Sequence, residues 1–573
     1  MSNNVGLSSA FLQIKTAVFS VVQERKIKIL ELLVLSIIPL MYLYFVYQDF
    51  SALPMPSDPT TYLVPATTPG MPLRFIDRIM VYIGLRISDI FFSPAYVAGM
   101  YYIAIVNLLI ITICIFWVYC KKGILAGLFA GVLLISAHEF LRLATYIYAD
   151  QTLALYALIA FIFFYSDYKN KVFDSAVIAG IFTAFTCFSK IPGIALFIPF
   201  IITIILERDW SKLKKLLTGF VIGTFLVFLV AFILFGWAAL KSVFSVAINY
   251  GAQFFDAEGT IESYGDDWVY NRPVSYFVLL VREYYLPIFF SMIILIGAYR
   301  DRITRNLYFA AMSFIGILAL FVVFHKAVIV SANYIYPTII FCSLGLALYL
   351  ANIIEKRKDP LIHKPDCLFT EKARIIYAVI CIVFVFISLK IGIMHPSAFT
   401  NPVAKTTPLI IGMVYPLIPL IIVGALMAIE YWQSRVLVLL LVILISVWSP
   451  AYNGASAYGI VSTVRNRVEC YYTAAPLLNQ VPADKFSIYV EAWIKDQYSD
   501  RLLRIYSYFF NERKINTKNI VFITDPKLLT VDNIKGKLIL TDNPKLIRRY
   551  FPEAKPGKSI LWKNTTLTVM QLP

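Results

Sequence analysis

The stretch YADQTLALYALIAFIFF, residues 148–164, places a single acidic residue, Asp150, at the start of an almost unbroken apolar run. A helix needs about 20 mostly apolar residues to cross the hydrocarbon core of a bilayer. Comparable runs recur from residue 27 to about residue 450 and then stop. This repetition predicts a polytopic α-helical membrane protein.

The composition excludes an ordinary soluble protein. Of the 573 residues, 60% are apolar and 15% are charged, and the mean hydropathy is +0.74. Soluble domains are about 45–50% apolar and about 25% charged. The net charge is +17, but the lysines and arginines lie in short segments between apolar runs, which is the pattern that sets orientation in a membrane. We therefore expect membrane lipids, and no nucleic acid, among the partners.

About thirteen membrane-spanning helices are predicted from the apolar runs. Their approximate ranges are 27–47, 97–119, 123–140, 150–166, 173–189, 191–206, 216–238, 275–298, 307–324, 335–353, 375–394, 406–429 and 436–450. When the N-terminus is placed in the cytoplasm, every predicted inner segment carries lysine or arginine, in agreement with the positive-inside rule. The predicted location is the plasma (inner) membrane.

Two domains follow from this topology. Residues 1–451 form a transmembrane domain with long outer loops at 48–96 and 239–274, and residues 452–573 form a soluble domain outside the cytoplasm. Predicted strands of the second domain lie at FSIYVEA (486–492), NIVFITD (519–525), KLILTDN (537–543) and SILWKN (559–564). A predicted helix at 500–514 separates the first two strands, so we expect a small α/β fold.

The first outer loop is predicted to contain an amphipathic helix over residues 72–92. Its apolar side chains recur at helical spacing: Leu73, Ile76, Met80, Ile83, Ile87 and Ile90. Asp77 and Asp89 fall elsewhere on the helical wheel, with Arg74 and Arg78. We expect this helix to lie in the outer membrane interface, with its charged residues on a wet face.

An ionisable residue is costly inside a membrane, so several that face one compartment indicate a functional site. Those at the predicted outer side include Asp58, His138, Glu139, Arg142, Asp150, Lys190, Asp256, Glu258, Glu262, Asp266, Asp267, Arg272, His325 and Lys326. They come from many separate loops and converge on one membrane face. A transporter more often places its site near the midplane, between repeated halves, and the sequence shows no such halves.

Simpler structural roles are open for the same residues. Lys190 could extend its ammonium to the interface, and Arg142 could pair with Glu139 one turn away. Asp150 could cap the N-terminus of its span, and Asp58 could cap a turn in the loop.

Four stretches share features with one known family. They are SDPTTYL (57–63), YADQTLALYALIAFIFF (148–164), AGIFTAFTCFSKIPGIALFIPF (179–200) and FHKAVIVSANYIYPTIIFCSLGLALYLA (324–351). In order, they hold an acidic first outer loop, an aspartate that opens the fourth span, a lysine turn between short paired spans and a late tyrosine–proline segment. Together they resemble the GT-C superfamily of polyprenyl-phosphate-sugar-dependent glycosyltransferases, and in particular the protein O-mannosyltransferases and the lipid A aminoarabinose transferases.

The resemblance implies a membrane glycosyltransferase that moves a sugar from a polyprenyl-phosphate donor to a hydroxyl acceptor by an inverting displacement. The acceptor classes are a glycolipid such as lipid A, a polysaccharide or a protein. The alternatives are a lipid or solute transporter of the cell envelope and a non-catalytic membrane scaffold for envelope assembly. A divalent metal ion is left open as a cofactor, without assigned ligands, and no other cofactor is expected.

Asp58 is the candidate general base, because partial desolvation moves the pKa of a carboxylate toward neutral pH, and Asp150 is a second catalytic candidate. The cations expected to stabilise the departing phosphate are Lys190, Lys326, Arg142 and Arg272. The side chains expected at the acceptor or along the cavity are Tyr62, His138, Glu139 and Tyr334. The chain departs from the family at Pro59, where a second acid is usual, and at Asn333, where an arginine is common.

Overall fold

A computed structural model describes much of the N-terminal half of the chain and shorter parts of the rest. The described residues are 29–48, 58–67, 72–73, 75–92, 95–137, 140–141, 143–145, 147–166, 174–255, 302–324, 336–356, 435–448, 486–489, 521–523, 538–541, 544–562 and 565–571. The predicted spans 275–298, 375–394 and 406–429 and the predicted helix 500–514 lie outside these ranges.

The described part of the predicted transmembrane domain is mostly helical, as expected. Its α-helices are α1 (Ile29–Gln48), α2 (Asp58–Thr67), α3 (Ile79–Phe91), α4 (Ala95–Lys122), α5 (Ile124–Ser136), α6 (Ala149–Phe164), α7 (Ser175–Cys187), α8 (Phe197–Glu207), α9 (Trp210–Phe255), α10 (Arg302–Phe324), α11 (Tyr336–Lys356) and α12 (Arg435–Trp448). Short 3-10 helices occur at Ile76–Arg78, Leu143–Thr145 and Ile191–Leu196.

Among the described residues, three helices are long and apolar enough to cross a membrane, judged by length and composition: Ala98–Lys122, Trp210–Ala238 and Tyr336–Ile354. They coincide with the predicted spans 97–119, 216–238 and 335–353. Shorter apolar helices occupy further predicted spans, at Ile29–Tyr44, Ile124–Ser136, Ala149–Phe164, Ser175–Cys187 and Ile191–Glu207. The total of thirteen spans stays a prediction.

A close contact between helix backbones joins α7 and α9. A Cβ added to Gly180 would lie 2.1 Å from the Leu216 carbonyl oxygen, and one added to Gly219 would lie 2.0 Å from the Val177 carbonyl oxygen. Gly219 and Gly223 have the Gly-x-x-x-Gly spacing that lets membrane helices approach closely. The glycines therefore fix α7, and the turn that follows it, against α9.

Aromatic side chains enclose α6 between α4 and α11. The Phe161 ring contacts Trp117 of α4 and Phe341 of α11, with centroids 6.1 Å and 5.3 Å away. Tyr336, which opens α11, donates its hydroxyl to the Asn107 side-chain oxygen of α4 at 2.6 Å. All these rings are largely or fully buried, so the C-terminal half of α6 is held inside a packed bundle.

The described strands near the C-terminus form a five-stranded sheet in the order β2-β1-β3-β5-β4. The elements are β1 (Phe486–Tyr489), β2 (Val521–Ile523), β3 (Leu538–Thr541), α13 (Pro544–Tyr550), β4 (Lys555–Trp562) and β5 (Thr565–Gln571). β1 pairs in parallel with β2 and β3, and β5 pairs antiparallel with β3 and β4. The sequence predicts β1 to β4 approximately, but it does not predict α13 or β5. β5 is hard to recognise because only Lys563 and Asn564 separate it from β4.

Candidate functional site

The described part of the site centres on a buried ion pair between two predicted residues. The Lys190 Nζ atom donates to both carboxylate oxygens of Asp150, at 2.7 Å and 2.8 Å. The Lys190 and Asp150 side chains are only 5% and 3% exposed. A buried charge is costly unless it is paired and hydrogen-bonded. Each of the two residues therefore lowers the free-energy cost of burying the other in apolar surroundings.

Asp150 is positioned by the N-terminal end of α6. The helix begins at Ala149, and its N-cap residue is Tyr148. The interpretation of Asp150 as an N-cap is therefore wrong. Its carboxylate still lies in the first helical turn, the end of the helix dipole that favours a negative charge, and it is directed at Lys190.

Lys190 is positioned by a tight turn between α7 and the 3-10 helix Ile191–Leu196. The backbone of Lys190 is extended, with φ −169° and ψ 141°, and its carbonyl oxygen accepts the Gly193 N–H at 2.8 Å. A Cβ on Gly193 would lie 2.5 Å from the Thr186 carbonyl oxygen, so the turn closes this tightly only around glycine. Because the ammonium is buried in an ion pair, the interpretation that Lys190 merely extends to the interface is wrong.

The first outer loop packs directly on this turn. The Met80 N–H donates to the Phe188 carbonyl oxygen at 3.1 Å, and the Asp77 Oδ2 atom accepts the Ile191 N–H at 3.3 Å. Asp77 also forms an ion pair with Arg78. The helical pattern predicts that Asp77 lies on a wet face. In the structure the Asp77 side chain is only 16% exposed and contacts the turn that carries Lys190.

The helical wheel fails here because residues 72–92 are not one continuous α-helix. The 3-10 helix Ile76–Arg78 precedes α3. It has about three residues per turn instead of 3.6, so positions before α3 rotate out of register with those inside it. Within α3, Met80 and Ile83 are buried, and Ile87 and Ile90, nearer its C-terminal end, are 43% and 63% exposed.

The outer-loop helix α3 also contacts the Asp150 side of the pair, through Tyr102 of α4. The Tyr102 ring lies against Gly84 of α3, where an added Cβ would be 2.2 Å from the ring. The Tyr102 hydroxyl is 3.0 Å from the Thr152 Oγ1 atom, two residues beyond Asp150. The first outer loop thus touches the elements that carry both members of the ion pair.

The acidic motif of the first outer loop opens a helix. α2 begins at Asp58, and Tyr62 lies one helical turn later. Tyr62 is buried, and its hydroxyl oxygen accepts a hydrogen bond from the Arg78 Nε atom at 3.4 Å. Arg78 is therefore a cation beside this motif that the sequence analysis missed, and no local pattern marks it, since 16 residues separate it from Tyr62.

The remaining predicted site residues lie outside the described residues: His138, Glu139, Arg142, Arg272, Lys326 and Tyr334. Asp58 is described through its backbone position at the start of α2. Two residues after Tyr334, Tyr336 is fully buried and bonded to Asn107, so this second tyrosine of the late motif packs the bundle. Within the described ranges, no group of three or more His, Cys, Asp or Glu side chains could hold a metal ion.

Comparison with solved structures finds a protein of the same architecture. ArnT from Cupriavidus metallidurans, in its crystal structure bound to undecaprenyl phosphate, aligns with 94% of this chain and 97% of its own chain, at 14% identity and a TM-score of 0.51. The chain has the fold of ArnT. At the level of the fold, this agrees with the resemblance to the lipid A aminoarabinose transferases that the four sequence stretches indicate.

Two more structures are similar at lower scores. ArnT in the apo state aligns at 13% identity over 93% of this chain and 97% of its own, with a TM-score of 0.49. The arabinosyltransferase EmbB from Mycobacterium smegmatis aligns at 14% identity over 77% of this chain and 41% of EmbB, with a TM-score of 0.42. No protein-family model and no curated protein matches the sequence, so the ArnT fold is shared here with little sequence identity.

Proposed function

We propose that this chain is a membrane glycosyltransferase that transfers a sugar from a polyprenyl-phosphate donor to a hydroxyl group of an acceptor. The observation that supports it most is the fold, which 94% of the chain shares with an ArnT structure bound to undecaprenyl phosphate. In this fold the chain places the Lys190 ammonium, buried and paired, among apolar helices. A lipid phosphate has the matching chemistry, because it is an anion at the head of an apolar tail.

The reaction is an inverting displacement at the anomeric carbon. The acceptor oxygen bonds to that carbon while the bond from the carbon to the donor phosphate oxygen breaks. Asp58 takes the hydroxyl proton as general base, and polyprenyl phosphate leaves with the bonding electrons. The leaving phosphate is a weak base, so it needs no general acid, but its charge needs preorganised cations.

Asp150 serves as the charge partner of Lys190 and not as a second base. Both Asp150 oxygens accept hydrogen bonds from the Lys190 Nζ atom, so this carboxylate is occupied in holding the cation. Lys190 is the first cation of the phosphate site. Arg78, bonded to Tyr62 one helical turn from Asp58, is a second. The other phosphate-site candidates are those of the sequence analysis: Lys326, Arg142 and Arg272.

The site opens to the outer face of the plasma membrane in this proposal. The N-terminus lies in the cytoplasm, about thirteen spans cross the bilayer, and residues 452–573 lie outside the cytoplasm. The acceptor is a glycolipid such as lipid A, a polysaccharide or a protein. A requirement for a divalent metal would appear as loss of turnover after chelation and recovery with Mg²⁺ or Mn²⁺.

The test is polyprenyl-phosphate release by the purified protein in detergent. With undecaprenyl-phosphate-linked sugars as donors and one member of each acceptor class, a transferase releases one undecaprenyl phosphate for each sugar transferred and needs no gradient. A lipid or solute transporter would instead move substrate across sealed proteoliposomes without release. That second result would contradict the proposal.

A further inference from the structure

We propose that Asp77 is a positioning residue that fixes the Lys190 ammonium through the backbone of the turn at residues 188–191. Asp77 touches the turn and not the Lys190 side chain, so it acts through the peptide that follows Lys190. The effect on donor binding rests on the proposed function. The placement of Lys190 does not, and it can be measured without any substrate.

Two hydrogen bonds attach the turn to the first outer loop, one on each side of Lys190. Before it, the Phe188 carbonyl oxygen accepts the Met80 N–H at 3.1 Å. After it, the Ile191 N–H donates to the Asp77 Oδ2 atom at 3.3 Å, across 114 residues of sequence. The Ile191 N–H opens a 3-10 helix, where the first donors have no partner inside the helix. The Asp77 carboxylate therefore satisfies a donor that the turn itself leaves open.

The peptide between Lys190 and Ile191 is held by local contacts at its carbonyl oxygen and by Asp77 at its N–H. On the far side, proline and glycine restrict residues 192–193, and the Gly193 N–H closes on the Lys190 carbonyl oxygen at 2.8 Å. Lys190 itself has an extended backbone between two helical segments. The Asp77 hydrogen bond holds the N–H of this peptide and so limits the direction in which the Lys190 side chain leaves the turn.

Asp77 is itself held in place from the side of the acidic motif. It pairs with Arg78, and the Arg78 Nε atom donates to the Tyr62 hydroxyl oxygen at 3.4 Å. A continuous set of contacts thus runs from α2, which begins at Asp58, through Arg78 and Asp77 to the turn of Lys190. Asp77 is the member of this set that contacts the turn.

Two substitutions remove the same hydrogen bond from opposite sides. Asp77→Ala removes the acceptor. Ile191→Pro removes the donor and leaves the Asp77–Arg78 pair in place. Proline suits this position, because the residue before it is extended and because the first position of a helix tolerates proline. Asp77→Asn keeps an acceptor oxygen but loses the charge, so it should disturb the turn less than Asp77→Ala does.

The measurement is the rate at which a membrane-permeant acylating reagent modifies Lys190, relative to Lys215 in the same molecules, followed by mass spectrometry in detergent. Lys215 pairs with Asp174 and is 44% exposed, so it reports general reactivity. Asp77→Ala and Ile191→Pro should each raise the ratio roughly tenfold, the shift in local opening expected when a hydrogen bond to a charged group is lost. The double variant should rise no further, because both changes remove one bond.

The matched control is Asp89→Asn in α3, the helix that follows the 3-10 helix of Asp77. Asp89 pairs with Arg86, and the change should leave the ratio unchanged. A native ratio in both Asp77→Ala and Ile191→Pro, or an equal rise in the control, would overturn the positioning role. If Asp77→Ala does not fold, the comparison of Ile191→Pro with Asp77→Asn decides. If the Lys190/Lys215 modification ratio rises in the variants but the native protein never releases undecaprenyl phosphate, the proposed function is wrong and the positioning role of Asp77 still holds.

Discussion

At the scale of the residue, the Lys190–Asp150 pair allows stability to be separated from activity. Lys190→Met or Asp150→Leu alone leaves a buried charge without its main partner and should lower the free energy of unfolding by about 3–5 kcal/mol. The double variant removes both charges and should recover most of that loss. Thermal unfolding in detergent measures the three effects.

The exposed pair Lys215–Asp174 is the control for this cycle. Lys215→Met should leave the melting temperature almost unchanged, because solvent screens the pair. Turnover should fall about a hundredfold in Lys190→Met and stay low in the double variant, because both variants lack the Lys190 ammonium. Native turnover in the double variant would show that Lys190 does not stabilise the leaving phosphate.

Asp58 carries the prediction about proton transfer. Asp58→Asn keeps the shape of the side chain and removes the base, so turnover should fall by about 10²–10⁴ while undecaprenyl phosphate still binds. Binding and release are measured on the same purified sample. Near-native release would exclude Asp58 as the base, and Glu139 would then be the next carboxylate to test.

Asp89 predicts a pH dependence of stability. Burial raises the pKa of its carboxyl above the ordinary value of 3.8, and the Arg86 guanidinium offsets only part of this effect. The folded chain therefore binds this proton more tightly than the unfolded chain does, and stability falls as the pH rises from 3.8 through the folded pKa. Asp89→Asn cannot ionise, so its melting temperature should decline less over that range. Parallel profiles for the variant and the native protein would contradict this.

At the scale of the element, the contact between α7 and α9 predicts opposite effects for two glycines. Gly219→Ala forces a Cβ to within 2.0 Å of a backbone oxygen and should cost about 1–3 kcal/mol or more, as overpacking does. For Gly316 of α10, no described atom lies within 4 Å of an added Cβ. Gly316→Ala should therefore raise stability by up to about 1 kcal/mol through helix propensity. Equal melting temperatures would argue against the tight contact.

Element by element, the sequence predicts where apolar helices lie better than it predicts how they meet. The lysine turn between two short helices is found where the sequence places it, because Pro192 and Gly193 are local signals. The pairing of Lys190 with Asp150 is not predictable from such signals, since 40 residues separate them. A helical wheel puts Asp77 on a wet face because the wheel assumes one helical period, and the 3-10 helix Ile76–Arg78 breaks that period.

At the scale of the whole molecule, the fold class is predictable because composition and repeated apolar runs are summed over hundreds of residues. The orientation is a prediction of the same kind, drawn from the basic inner segments. A reporter that is active only in the cytoplasm should be inactive when fused after residue 573. A membrane-impermeant thiol reagent that reaches Cys470 in whole cells would agree with an outer C-terminal domain, and an active reporter would overturn it.

The order of synthesis gives the ion pair a consequence for biogenesis. Asp150 leaves the ribosome 40 residues before Lys190, a delay of about 2–8 s at common elongation rates. During that delay α6 carries an aspartate whose lysine has not yet been made, and an aspartate disfavours passage from the translocon into lipid. We expect α6 to stay at the translocon until the turn after α7 arrives, so that the two helices enter the bilayer as one neutral unit.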